Sequence, residues 1–309
     1  MVGRPLTWGP FMQSENARGA ILMMLGMAAF TLSDTIMKLL GAELPMFQTL
    51  LWRGLAVSAV LAALAWRMGA FRTVPSARDR RLVALRAVAD TCSTWFFLNA
   101  LYHMPIANLT AIMQSLPLTV TLAGALFLGE PVGWRRWAAI GVGFAGVLLI
   151  VRPDASGFDL HAIYALVTVA LVTLRDLITR RMAKAVPSLM VALVNAVAVT
   201  LFGAAGALGT EVFQTPSPLA LALLAGTSAF IVGGYVLTVM AVRLGELGFV
   251  TPFRYTGLVW ALVLGFVVFG EWPRALTLIG AGLIVATGLF TLYRERRVTR
   301  ATARGPSRR

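Results

Sequence analysis

An all-α integral membrane protein of ten transmembrane helices, built as two inverted five-helix repeats, is predicted by three observations: composition, apolar segment length and internal self-similarity. Of the 309 residues, 58% are hydrophobic and 13% charged, with a mean hydropathy of +0.79. Soluble domains show about 45–50% apolar and 25% charged residues. Asp34 and Pro45 recur as Asp176 and Pro187, 142 residues later, and Gly129-Glu130 recurs as Gly270-Glu271, 141 residues later. Each copy holds five apolar segments, and an odd number of crossings turns the second copy upside down relative to the first.

Ten spans of the roughly 20 residues needed to cross about 30 Å of hydrocarbon are read at 17–40, 47–66, 82–101, 106–128 and 134–151, then at 159–182, 187–208, 219–242, 249–269 and 275–293. The domain organisation is then a short N-terminal segment (1–16), a first repeat (17–152), a polar, helix-breaking linker (153–158), a second repeat (159–294) and a basic tail (295–309). The first segment is full length and lacks a basic n-region and an Ala-x-Ala-like end, so it is expected to remain as a span rather than be cleaved. The single cysteine, Cys92, falls inside the third span, excludes an internal disulfide and is expected to be a small packing residue.

The net charge of +14 would suggest nucleic acid in a soluble protein, but its distribution points to topology instead. With the N-terminus inside, 20 Lys and Arg residues fall on the cytoplasmic side and three (Lys38, Arg152, Arg274) outside. Both termini are therefore expected in the cytoplasm. The Arg-rich tail follows a span directly, where basic residues fix topology and meet anionic lipid; membrane lipid is an expected partner and nucleic acid is not.

Charges remain inside the spans: Arg53, Arg86, Arg175 and Arg254, with Asp34, Asp90 and Asp176. Each costs at least about 2.5–3.5 kcal/mol at depth, so each is expected to face the protein interior or a water-filled path. Asp34 and Lys38, Arg86 and Asp90, and Asp176 and Arg180 are four residues apart, close enough to pair on one helix face. By depth, Asp34, Lys38 and Arg53 form an outer layer, and Arg86, Asp90, Arg175, Asp176 and Arg254 an inner one. One reading makes these layers gates flanking a midplane site; the other makes them static ion pairs, with Arg53 and Arg254 snorkelling from near the span ends.

Between the layers lie Trp95, Asn99, Tyr102, His103, Gln114, Tyr164, Asn195, Tyr235, Tyr255 and Trp260. Tyr102 and Tyr293 read as interfacial belt residues, whereas Trp95, Gln114, Tyr255 and Trp260 lie deeper. Gln114 and Tyr255 occupy matching repeat positions as candidate cavity liners. Pro105, Pro117 and Pro252 break the fourth and ninth spans, and the freed carbonyls must find other donors. Gly141, Gly143 and Gly146 in the fifth span and Gly280 and Gly282 in the tenth are expected at close helix contacts.

No Gly-x-Ser-x-Gly, His-Glu-x-x-His or Walker A motif is present, and the only histidines, His103 and His161, lie at span starts. No enzymatic activity, cofactor or metal is expected. A channel would call for a filter loop or a ring of like charges, whereas this chain has mixed signs in two layers.

Ser33-Asp34 with Lys38, Trp52-Arg53, Leu85-Arg86, the run from Ala107 to Pro117, Gly129-Glu130, Asp176, Pro252-Phe253-Arg254-Tyr255 and Gly270-Glu271 together resemble the drug/metabolite transporter superfamily, specifically its EamA-type carriers, across essentially the whole chain. The charged set looks most like the branch containing S-adenosylmethionine uptake carriers. The resemblance implies a basket of two five-helix repeats with a central cavity lined by spans 1, 3, 4, 6, 8 and 9, and it makes Glu130 and Glu271 structural end-of-span residues. Where the repeats differ, Pro117 against Leu258 and Met113 against Arg254, it implies an asymmetric site.

The resulting expectation is an inner-membrane secondary carrier that moves a small charged or zwitterionic organic metabolite by alternating access. An amino-acid or drug exporter of the same superfamily, or a non-transporting membrane scaffold, are the alternatives.

Overall fold

The computed structural model describes residues 15–72, 75–130, 132–152, 159–183 and 185–303. The expected linker at 153–158, the segment before residue 15, Lys184 and the tail beyond residue 303 lie outside the described residues. Ten long helical elements account for most of the chain, and no strand occurs among the described residues. They are α1 (Glu15–Leu40), α2 (Met46–Arg67), α3 (Ala77–His103), α4 in two pieces (Ile106–Met113 and Leu116–Leu128) and α5 (Trp134–Val151). The second set is α6 (Leu160–Arg180), α7 (Ser188–Thr210), α8 (Pro218–Leu244), α9 in three pieces (Leu247–Val250, Thr251–Tyr255 and Thr256–Phe269) and α10 (Ala275–Ala303).

Nine of these elements are long and apolar enough to cross a membrane by length and composition. The tenth, α3, has 27 residues but carries Arg78, Asp79, Arg80, Arg81, Arg86 and Asp90 in its first half. It begins five residues before the apolar run because Ser76 caps it: Ser76 Oγ accepts the Asp79 N–H (3.1 Å) and donates to Asp79 Oδ2 (2.7 Å). Asp79 Oδ1 also accepts the Ala183 N–H (3.1 Å), and these donors hold its carboxyl below the ordinary carboxylate range.

The repeat is visible in local geometry as well as in sequence. Pro45 and Pro187 precede α2 and α7, Ser76 and Ser217 cap α3 and α8, and Gly129 and Gly270 end α4 and α9 with φ of 66° each, a left-handed turn that glycine adopts without strain. Packing follows the same two-fold logic. α1 packs on α8 and, correspondingly, α6 on α3, while α2 packs on α7, α4 on α9 and α5 on α10.

Polar loop contacts sort into two ends. At the terminal face, where α1 begins, Asn16 accepts the Glu246 N–H (2.8 Å) and Asp79 meets Ala183. At the opposite face, Pro45 offers no side-chain cap to α2, and Glu211 from the second repeat substitutes for it, accepting the Phe47 and Gln48 N–H groups at 2.9 and 3.1 Å. Fully buried Gln48 completes this tie by donating to Val212 O and accepting the Gln214 N–H. Because Glu211 acts as an N-cap supplied from another element, Glu211→Ala should lower stability by about 0.5–2 kcal/mol, readable as a lower melting temperature in detergent. Unchanged melting would mean that water replaces it.

The larger apolar core, including Leu40, Leu101, Ile106, Leu109 and Ile112, packs the opposite half of the bundle. A smaller cluster, Met23, Ala241 and Val250, lies near the terminal face. α5 and α10 come closest at Gly146 and Gly280, where a Cβ on either would meet the other's carbonyl oxygen at 2.7 or 2.5 Å. Gly143 is also tightly packed, but Gly141 and Gly282 face open space, contrary to the expectation for the full set. Cys92 is likewise exposed rather than a packed small residue.

Candidate functional site

None of the three i,i+4 charge pairs forms along its own helix. Lys38, Asp90 and Arg180 instead find partners on other helices. Lys38 Nζ meets Glu271 Oε1 at 2.6 Å and donates to Met104 O at 2.9 Å, while Glu271 Oε2 accepts the Ile106 N–H at 3.1 Å. Arg180 Nη1 meets Glu130 Oε1 at 2.7 Å. Lys38 and Arg180 are repeat mates, as are Glu130 and Glu271, so one latch has been duplicated and placed at both faces. The opposite-face copy is the more buried, with side chains 11% and 24% exposed against 46% and 45%. Glu130 and Glu271 end their spans as expected, and each also closes an ion pair.

Three of the five inner-layer residues form a network across three helices with Asn195. Arg175 of α6 donates to Asp90 Oδ1 of α3 (2.7 Å) and from Nε and Nη2 to its neighbour Asp176 (3.0 and 2.9 Å). Asn195 of α7 donates to the other Asp90 oxygen. Arg86, instead of pairing with Asp90, donates from Nε to Thr179 Oγ1 at 3.0 Å. Three predicted residues, Asp90, Arg175 and Asp176, are thus brought together, and Asn195 fixes the Asp90 carboxylate among them.

The outer layer is built differently. Asp34 and Arg53 lie in each other's electrostatic field, yet among the described residues neither makes an ion pair or hydrogen bond, and Arg53 Nε is buried without a partner. The repeat register explains this. Arg53 stands where the other copy has Asn195, and Asp34 where it has Asp176. The cap serines align Asp90 with Ile231, while Ser33 replaces Arg175 and Thr227 replaces Arg86. Ser33 and Thr227 satisfy each other (Oγ to Oγ1 2.8 Å), which leaves Asp34 and Arg53 as unpartnered charges of opposite sign.

Two tyrosines border this pair. Tyr102, read from sequence as a belt residue, instead rests its ring on the Gly41 turn and buries its hydroxyl near Thr49, in the field of Arg53. Tyr235 packs edge-on against Phe30 of α1 (5.2 Å) and lies in the field of Asp90, Arg175, Arg53 and Arg86, between the two layers. Nothing in the sequence separates Tyr102 from a belt tyrosine, because a span end looks alike from both sides.

Gln114 and Arg254 meet where the broken helices cross: Gln114 Nε2 donates to Arg254 O at 3.3 Å. At the two breaks Ser115 Oγ donates to Ile112 O (2.6 Å) and Thr256 Oγ1 to Phe253 O (2.7 Å), beside the backbone N–H groups of the same residues. The Arg254 residue is exposed. Tyr255 is 7% exposed and turns its hydroxyl against α10 at Gly288. Trp95 joins Phe96 and Tyr164 in a ring cluster that continues through His161 to His103, the last two stacked at 4.3 Å. Trp260 is 36% exposed and joins none of these groups among the described residues.

The EamA-like transporter family profile matches residues 17–152 and again 160–293. The chain belongs to the EamA-like transporter family. It is similar to the S-adenosylmethionine uptake transporter of Rickettsia conorii, at 25% identity over 89% of this chain and 92% of the relative. The riboflavin transporter of Rhizobium johnstonii is 31% identical over 94% and 96% of the two chains, and the pseudopaline exporter CntI of Pseudomonas aeruginosa is 26% identical over 86% and 93%. A solved crystal structure with 19% identity aligns at a TM-score of 0.61, covering 90% of this chain and 98% of its own, and so shares the fold. In this EamA-like chain the profile's two matches coincide with the two halves whose caps, breaks and latches correspond.

Proposed function

We propose that this chain is a secondary carrier of the bacterial inner membrane, with both termini cytoplasmic, that moves a small charged or zwitterionic organic metabolite by alternating access. One observation carries the reading: an inverted pair of latches, Lys38–Glu271 and Arg180–Glu130, sits at opposite faces of one bundle with unequal burial. Two related closures that need not be equally shut at once are what alternating access between inverted repeats requires. The names of the relatives, which are carriers of small metabolites, support the same reading. The cytoplasmic assignment rests on the basic residues concentrated at the terminal face.

Asp34 and Arg53 are the substrate's charged contacts in this proposal. Among the described residues neither has an ion-pair or hydrogen-bond partner, and a buried charge without one is expensive, so a ligand bringing a carboxylate to Arg53 and an amine to Asp34 removes both deficits. The Trp95, Phe96 and Tyr164 rings suit an attached ring system. The Asp90–Arg175–Asp176–Asn195 network, whose charges already pair with one another, acts as a gate rather than a binding group.

Uptake and efflux of labelled S-adenosylmethionine, riboflavin, tryptophan and a simple sugar in proteoliposomes, with and without a pH gradient, test the carrier reading. Arg53→Gln should weaken binding of carboxylate-bearing ligands about 10- to 150-fold, the equivalent of a charge-assisted hydrogen bond worth about 1.5–3 kcal/mol, while riboflavin binding changes little. Transport of the sugar alone, or equal loss for every ligand, would reject this assignment.

A further inference from the structure

Outside the bundle centre, α5 and α10 enclose an open groove of about 610 Å³ near the terminal face. The two helices are pinned backbone to backbone at Gly146 and Gly280, and the groove lies on the terminal-face side of that contact. Val142, Leu283, Ala286 and Phe290 give it an apolar lining. Thr287 adds no free polar group, because its hydroxyl donates to Leu283 O and Ile284 O of its own helix (2.7 and 3.0 Å).

The mouth has the opposite character. Arg135 and Arg294 line it, and among the described residues no carboxylate does. Among the described residues neither arginine is in an ion pair. Arg135 is held over the Trp134 ring with its Cζ 5.3 Å from the centroid, and Arg294 reaches across Gly133 at the start of α5. Trp134 and Tyr293, 73% and 54% exposed, flank the entrance, as amphipathic rings do at the level of lipid head groups.

We propose that this groove is a binding site for an anionic phospholipid, its phosphate between Arg135 and Arg294 and an acyl chain along the α5–α10 seam. The volume falls in the range of ligand sites, about 300–1,000 Å³, and basic pockets between transmembrane helices suit acidic head groups. A soluble phosphate would leave the apolar lining wet, and a zwitterionic lipid would bring a cation toward two arginines. The site is separate from the charged layers and does not depend on what the protein carries.

The test is native mass spectrometry of the full-length protein in neutral detergent, titrated with phosphatidylglycerol, phosphatidylcholine or glycerol 3-phosphate. Phosphatidylglycerol should be retained in preference to the other two. The double variant Arg135→Gln/Arg294→Gln should lose that preference by about 30-fold, roughly fivefold for each basic residue. Arg18→Gln/Arg243→Gln, on the same face but outside the groove, should keep it. Ala286→Trp, which fills the groove and leaves both arginines, should reduce retention of either lipid. Equal retention of the two lipids, equal loss in the control pair, preference for glycerol 3-phosphate or indifference to Ala286→Trp would each overturn the proposal.

Discussion

Arg175→Ala is expected to abolish transport and to destabilise the protein by about 3 kcal/mol, the lower part of the 3–5 kcal/mol range for breaking a buried ion pair. The lower part applies because the Arg175 side chain is 26% exposed and Asp90 14%. Arg175 is the only cation bonded to both Asp90 and Asp176 among the described residues, so its removal leaves two carboxylates at depth on α3 and α6. Asp90→Asn should be milder in stability, since Arg175 keeps Asp176, but it should also lose transport if the α3–α6 contact must open and close. Melting in detergent and flux in proteoliposomes separate the two effects. Normal flux in Asp90→Asn would make the network a static brace, and if Arg175→Ala does not insert, the charge-swapped pair Asp90→Arg/Arg175→Asp restores the test.

Glu271→Gln should harm the protein far more than Glu130→Gln, although the two positions are repeat mates. Glu271 holds both Lys38 and the Ile106 N–H that starts α4, in a setting where the Lys38 side chain is 11% exposed. Losing the carboxylate strands a buried ammonium, an effect of about 3–5 kcal/mol. The Glu130–Arg180 pair is nearly half exposed on both sides, and exposed pairs contribute about 0.2–1 kcal/mol. Lys38→Met/Glu271→Gln should recover part of the stability, because no unpaired charge then remains, without recovering transport. Equal penalties for the two glutamate variants, measured by thermal melting, would contradict the difference in burial on which this expectation rests.

Much of this protein is legible in one dimension because the bilayer leaves few options. Backbone groups in hydrocarbon must bond within their own segment, so long apolar runs are helices and their count sets the topology. The spans at 134–151 and 275–293 fall on α5 and α10 for that reason, and Gly129 and Gly270 mark span ends because a left-handed turn favours glycine. The start of α3 is less visible: hydropathy begins at residue 82, but the Ser76 N-cap begins the helix at Ala77. Local hydrogen bonding outside the hydrocarbon sets that end, and a scale of apolarity does not register it.

Sequence alone determined the ten-helix class, the inverted repeat and which residues carry charge into the membrane. Only the tertiary structure decided how those charges are used. Spacing allowed Lys38 to meet Asp34 and Arg86 to meet Asp90, but the folded chain joins Lys38 to Glu271, 233 positions away, and Asp90 to Arg175, 85 positions away. It also directs Tyr255 to α10 and Tyr102 to the interior, although both carry the same ring. Helical periodicity fixes the face a side chain occupies, whereas its partner depends on which helix lies across from that face. That is set by the packing of two inverted copies whose differences, Ile231 for Asp90 and Arg53 for Asn195, pair Asp90, Arg175 and Asp176 with one another and leave Asp34 and Arg53 open.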